Sequence, residues 1–133
     1  MSDSEPILLA VNGTLMRGLE LNPNLLRVGA QFVRETATAP EYRIWSIGDR
    51  HPAMMRFPSG GTAIQLEIWS VPRSGLASVL LAEPAGLAIG KVLLAAAEVL
   101  GVLGEAWLCE GQREITEFGG WRGYIARQNL KVI

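Results

Sequence analysis

The chain has 133 residues, 49% of them hydrophobic and 19% charged, with 12 basic and 13 acidic side chains and a formal charge of -1. That is one domain's length of chain, with enough apolar surface to offset the entropy of ordering, so a largely disordered protein is excluded. Near-neutral charge argues against nucleic acid as a partner, because phosphate-backbone affinity needs a surplus of Lys and Arg. The one cysteine, Cys109, allows no internal disulfide, and one Cys with one His is too few for a structural zinc cluster, so no metal is expected. The start Met1-Ser2-Asp3-Ser4-Glu5 is acidic where an export signal is basic, which points to the cytoplasm. The run Gly86 to Leu103 is interrupted by Gly90, Lys91, Glu98 and Gly101, whereas a membrane span needs roughly 20 mainly apolar residues, so no membrane partner is expected.

In chain order, Ile7 to Val11 is an apolar run ending at Asn12-Gly13, the pattern of a buried strand entering a loop. Asn22-Pro23 predicts an N-cap followed by Pro in the first turn of a short helix through Leu25 and Leu26, stopped by Gly29. Gln31 to Ala37 and Glu41 to Ile47 read as strands either side of Ala39-Pro40. His51-Pro52 reads as loop. From Thr62 to Val71, Ile64, Leu66 and Ile68 alternate with Gln65, Glu67 and Trp69, a strand with two different faces. Ser74 to Ala82 has helical spacing and ends at Pro84. Leu87 to Leu103 is ambiguous, and local propensity slightly favours helix. Phe118, Trp121, Tyr124 and Ile125 recur at three and four residues, which predicts one or two helical turns. The whole is expected to be a single α+β domain spanning residues 1–133, with its core from about Pro6 to Ala126 and an apolar-ended tail over residues 127–133.

Three segments together resemble the C-terminal domain of allophanate hydrolase, which has the γ-glutamylcyclotransferase-like fold. They are Val11-Asn12-Gly13-Thr14-Leu15-Met16-Arg17-Gly18-Leu19-Glu20-Leu21-Asn22; Ala39-Pro40-Glu41-Tyr42-Arg43-Ile44-Trp45 with Met55-Arg56 and Gly61 to Pro72; and Glu83 to Gly90 with Cys109-Glu110 and Glu114 to Tyr124, whose Phe118-Gly119-Gly120-Trp121-Arg122 block is the most specific. The match runs in order over nearly the whole chain. It implies a small mixed β-barrel with a few short helices, in which Ile89 to Glu110 is a β-hairpin turning near Ala96 to Glu98. It also implies a stand-alone single-domain homologue of one half of that enzyme, since 133 residues leave no room for its amidase.

The resemblance places a substrate anion at Asn12-Gly13-Thr14-Leu15, where Gly allows close approach and converging N–H groups form a nest. The plain alternative is a turn between strand and helix. Glu83 is the acid/base residue the resemblance suggests: desolvated among Leu80, Leu81 and Leu87, its carboxyl would shuttle protons near neutrality, whereas a helix-end carboxylate in water would not. Leu15 stands where allophanate hydrolases commonly have His, and Leu cannot move a proton. That leaves His51, read as an exposed loop histidine or, less economically, a catalytic one. Arg56 and Arg122, with Arg43 in a poorer-matched block, offer a guanidinium fork for a carboxylate or are solvated charges. Tyr42 and Trp121 wall a pocket or belong to the core. Glu67 is an inward polar group of a barrel or, more simply, faces solvent.

Two functions follow as expectations. One is a cofactor-free enzyme-like domain binding a small carboxylated amide or carbamate, of the N-carboxycarbamate type, with a γ-glutamylcyclotransferase-like reaction as its variant. The other is a non-catalytic module that assembles with a separate amidase or as a homodimer.

Overall fold

The computed structural model describes residues 5–132, and the side chains of residues 5–129. Its strands are β1 (Ile7–Val11), β2 (Gln31–Ala37), β3 (Tyr42–Ile47), β4 (His51–Arg56), β5 (Gln65–Val71), β6 (Leu87–Leu93), β7 (Glu98–Gly104) and β8 (Arg113–Glu114). Its α-helices are α1 (Asn22–Arg27), α2 (Arg73–Leu81), α3 (Ala106–Cys109) and α4 (Trp121–Val132), with a 3-10 turn at Thr116–Phe118.

The apolar run of β1 lies at the centre of a five-stranded sheet in the order β2-β5-β1-β7-β6. It pairs antiparallel with β5 and parallel with β7, and Leu9, Ala10 and Val11 are all buried. A strand covered on both faces has no polar face to present, hence the unbroken apolar sequence. A second, three-stranded sheet runs β4-β3-β8. The sheets meet where Gly104 packs on Ala53 so closely that a Cβ on Gly104 would sit 2.6 Å from that of Ala53. The α+β, cyclotransferase-like architecture is the one implied by the resemblance, with one correction: the described strands form two sheets and do not close into a barrel.

The ambiguous segment is a hairpin of β6 and β7, against its local helix propensity. Pairing decides it. Val92 registers with Val99, and Ala10 of β1 registers with Gly101, where a side chain would meet Val92 Cγ2 at 2.6 Å and Ala10 Cβ at 3.0 Å. The hairpin ends at Gly104, short of Glu110, because the chain turns into α3, and its turn closes at Leu94, whose N–H donates to the Ala97 carbonyl.

Three other expectations are corrected. His51-Pro52 is not a loop but the start of β4, an edge strand, where a residue lacking an N–H is tolerated. Asn22 lies inside α1, whose N-cap is Leu21, and its side-chain amide donates instead to the Leu15 carbonyl. The last helix has 12 residues rather than one or two turns, and it runs unbroken through the expected boundary at residues 126 and 127. The acidic start at residues 1–4 lies outside the described residues, as do the side chains of the apolar tail end, residues 130–133. Among the described residues, no helix is long and apolar enough to cross a membrane.

Candidate functional site

After β1 the chain enters a tight loop whose carbonyls are consumed locally. Gly13 O accepts from Met16 N, Thr14 O from Leu21 N, and Leu15 O from Asn22 Nδ2. Asn12 is buried and its amide donates to Val102 O, tying the loop to β7. The N–H groups of Gly13, Thr14 and Leu15 donate to no group among the described residues. A loop with its acceptors occupied and its donors free is biased towards an anion.

These residues line a narrow inner niche with Val11, His51, Pro52, Glu83, Leu87 and Val102. Its volume of about 10 Å³ takes one water-sized atom. Thr14, His51 and Glu83 also border a wider outer chamber of about 450 Å³, together with Glu20, Leu21, Arg50, Ala82 and Pro84. The two chambers thus share three wall residues.

Glu83 reaches this place because α2 stops just before it. The Ala82 N–H bonds back to Ser78, the Glu83 N–H to Leu80, and Pro84 cannot continue the helix. Its Oε1 is buried without a hydrogen-bond partner among the described residues. Burial pushes the carboxyl up from its ordinary 4.5 to about 7, because a charge there has lost its water. The apolar cover comes from Val11, Leu87 and Val102; Leu81, expected to supply it, is 85% exposed.

His51 is buried, contrary to the exposed reading, and reaches the niche from β4. Its Nδ1 lies 3.1 Å from Pro52 O, a contact satisfied by the Nδ1–H tautomer, which leaves Nε2 as an acceptor. An imidazole thus borders the cavity although position 15 carries Leu. The only signal for it was that this is the chain's one histidine.

The other expected binding residues lie elsewhere. Tyr42 is fully buried, and its hydroxyl accepts from Leu93 N. Trp121 is core, packed on Tyr124. Arg56 is paired with Glu41 at 2.8 Å, at the opposite end of β4 from His51, and Arg43 is paired with Glu114. Arg122 donates to Glu67 Oε2 at 3.0 Å and to Arg17 O at 2.7 Å. None of these five residues lines either chamber.

Glu67 is 1% exposed, not solvent-facing. Its carboxylate accepts from Arg17 N at 2.9 Å, Trp69 Nε1 at 3.0 Å and both arginine side chains. Burial raises its pKa, but these donors outweigh it and hold the carboxyl below its ordinary value. Because Arg17 lies two residues beyond Leu15, this hub anchors the far end of the Asn12–Leu15 loop.

Gly13 has no room for a side chain: a Cβ would lie 2.6 Å from Pro52 Cδ and 2.7 Å from Cγ. Gly13→Ala is expected to push the loop off β4, cost about 1–3 kcal/mol in thermal melts, and abolish anion binding in calorimetric titration with acetate. Unchanged acetate affinity would show that the loop does not form the site.

Comparison with known proteins follows the same outline. Residues 7–126 match the family model described as allophanate hydrolase C-terminal domain. The urea amidolyase of Saccharomyces cerevisiae is 30% identical over 92% of the chain. The chain spans only 7% of that protein's length. The crystal structure of c4763, a uropathogenic E. coli-specific protein, superposes with a TM-score of 0.90 at 60% identity, covering 95% of this chain and 98% of that one. Kluyveromyces lactis allophanate hydrolase superposes with a TM-score of 0.86 at 30% identity, over 92% of this chain and 21% of that one.

Proposed function

The chain belongs to the allophanate hydrolase C-terminal domain family, and from that premise we propose that it binds a small carboxylated amide or carbamate and breaks it down, in urea and amide nitrogen metabolism. The observation that carries this reading is that an uncommitted row of backbone donors and a carboxyl raised to about 7, unpartnered among the described residues, border one cavity. Gly13 and Thr14 hold the anion, and Asn12 and Leu15 fix the loop that presents it. Glu83 supplies the proton.

For N-carboxycarbamate the step balances as follows. One N–CO₂ bond breaks and releases CO₂. Its electron pair stays on nitrogen, which takes the proton from the Glu83 carboxyl to leave carbamate. Glu83 recovers its proton from solvent, and carbamate decays to ammonia and CO₂ with a second proton. The remaining carboxylate stays on the nest throughout. A mobile proton near pH 7 is what this chemistry needs, and an ordinary surface Glu does not carry one.

The reactive substrate must come from an amidase. The matched region is 21% of the Kluyveromyces lactis allophanate hydrolase and 7% of the urea amidolyase, which supports a chain that works beside a separate amidase as its source of substrate.

The test generates N-carboxycarbamate in situ with a purified amidase and follows ammonia release with and without this chain. Faster release is expected. An unchanged rate across pH 6–8 would overturn the catalytic part of the reading and leave the assembly module, to be sought as a stable complex with the amidase by light scattering.

A further inference from the structure

We propose that Arg50 is a specificity-determining residue of this cavity, selecting ligands that carry a second carboxylate beyond the group seated on the Gly13–Thr14 loop. The inference rests on the anion-site reading above and concerns the far end of the ligand.

The outer cleft extends beyond the Gly13–Thr14 loop, past Glu20, Leu21, Arg50, Ala82 and Pro84. The charges on its wall say what kind of group suits its far end.

Arg50 is the one guanidinium lining either chamber among the described residues. It forms no ion pair among them, whereas Arg17, Arg43, Arg56 and Arg122 are each bound to a carboxylate. Glu20 borders the same chamber but is not paired with Arg50, and its like charge disfavours a carboxylate anywhere but at the guanidinium. Uncommitted arginines at a cavity wall suit planar, two-pronged recognition of a carboxylate.

The backbone beneath Arg50 is fixed in advance. β3 and β4 are joined by a tight turn with Gly48 at φ 58° and Asp49 at φ 59°, closed by Arg50 N–H donating to Ile47 O. Asp49 tolerates this left-handed conformation because its carboxylate accepts from Ser46 Oγ and Tyr124 OH, both at 2.6 Å. Helix α4 therefore locks the turn that carries Arg50 and His51 to the cavity, so only the side chain remains to be ordered on binding.

The test titrates the full chain calorimetrically with butyrate, succinate, valerate and glutarate at one ionic strength and pH 7. At least one diacid is expected to bind about tenfold or more tightly than the monoacid of equal length. Arg50→Gln is expected to erase that difference while leaving the monoacid affinity unchanged, and Arg50→Lys to restore only part of it, since an ammonium lacks the fork. Equal affinities for monoacid and diacid in the wild type, or an advantage that survives Arg50→Gln, would overturn the inference and leave the anion site standing. A wild-type chain that binds none of the four acids would overturn the anion site, and the inference with it.

Discussion

Replacing Glu83 with Gln is expected to slow turnover of in situ N-carboxycarbamate by about 10²–10⁴-fold, the usual contribution of a positioned acid/base group. Substrate binding should survive, because the proposed anion contacts are the loop amides and Gln keeps the side chain's volume. The same variant has an opposite signature in stability. The carboxyl sits at about 7 when folded against 4.5 ordinarily, so between these values the folded chain holds a proton that the unfolded chain releases. Stability from this group is complete below pH 4.5, declines as pH rises towards 7, and is fully penalised above, by up to about 3 kcal/mol. Glu83→Gln removes the charged form altogether. Melting curves should therefore show the wild type losing stability between pH 5 and pH 7.5 while the variant stays flat across that range, and the variant should be the more stable protein at pH 8. Parallel pH profiles for the two proteins would mean that Glu83 is solvated, and the proton source would have to be sought elsewhere.

Truncating Glu67 to Ala is expected to cost about 2–4 kcal/mol, a fall of roughly 5 °C or more in melting temperature for a chain of this size. The reason is what it leaves behind. Arg17 N and Trp69 Nε1 lose their common acceptor inside the protein, where an unmet donor costs about 1–3 kcal/mol, while the exposed guanidinium groups of Arg17 and Arg122 return to water. Because Arg17 N closes the loop proposed to seat the anion, acetate affinity should fall as well, measured well below the melting temperature. Glu67→Gln distinguishes support from bulk: it preserves shape and some accepting capacity, so its loss should be smaller on both measures. A Glu67→Ala protein that melts with the wild type would show that the four contacts contribute nothing net. The wild type itself should lose this support as acid protonates Glu67, below the ordinary carboxylate range, since its folded value is depressed.

Much of the frame is legible in residue order because it depends on local chemistry. The apolar β1, the helix stopped by Pro84 and the Asn12-Gly13 loop follow from patterns a few residues long. The loop and Glu83 were named from a resemblance that spans the chain, and they line the same cavity. Faces were harder to read. Alternation along β5 separates two sides of a strand correctly, but calling one of them solvent assumes that nothing covers it. Here the loop after β1 and α4 bring Arg17 and Arg122 onto Glu67. The same kind of covering placed Tyr42 and Trp121 in the core and spent Arg43, Arg56 and Arg122 on carboxylates, leaving Arg50 as the guanidinium at the cavity.

The order of the residues by itself determined an α+β chain with a buried first strand, an amide-rich loop after it and a carboxyl at the end of α2. Hydrophobic spacing, Gly and Pro act within a few residues of themselves, so no partner is needed to read them. Only the tertiary structure decided that residues 87–104 pair as strands, that His51 leaves solvent for the wall of a niche, and that Glu67 becomes a hub rather than a surface charge. Each of those outcomes depends on a group brought from elsewhere in the chain, up to 90 residues away in the case of Asn12 and Val102, and burial and pairing at that range leave no mark on local composition.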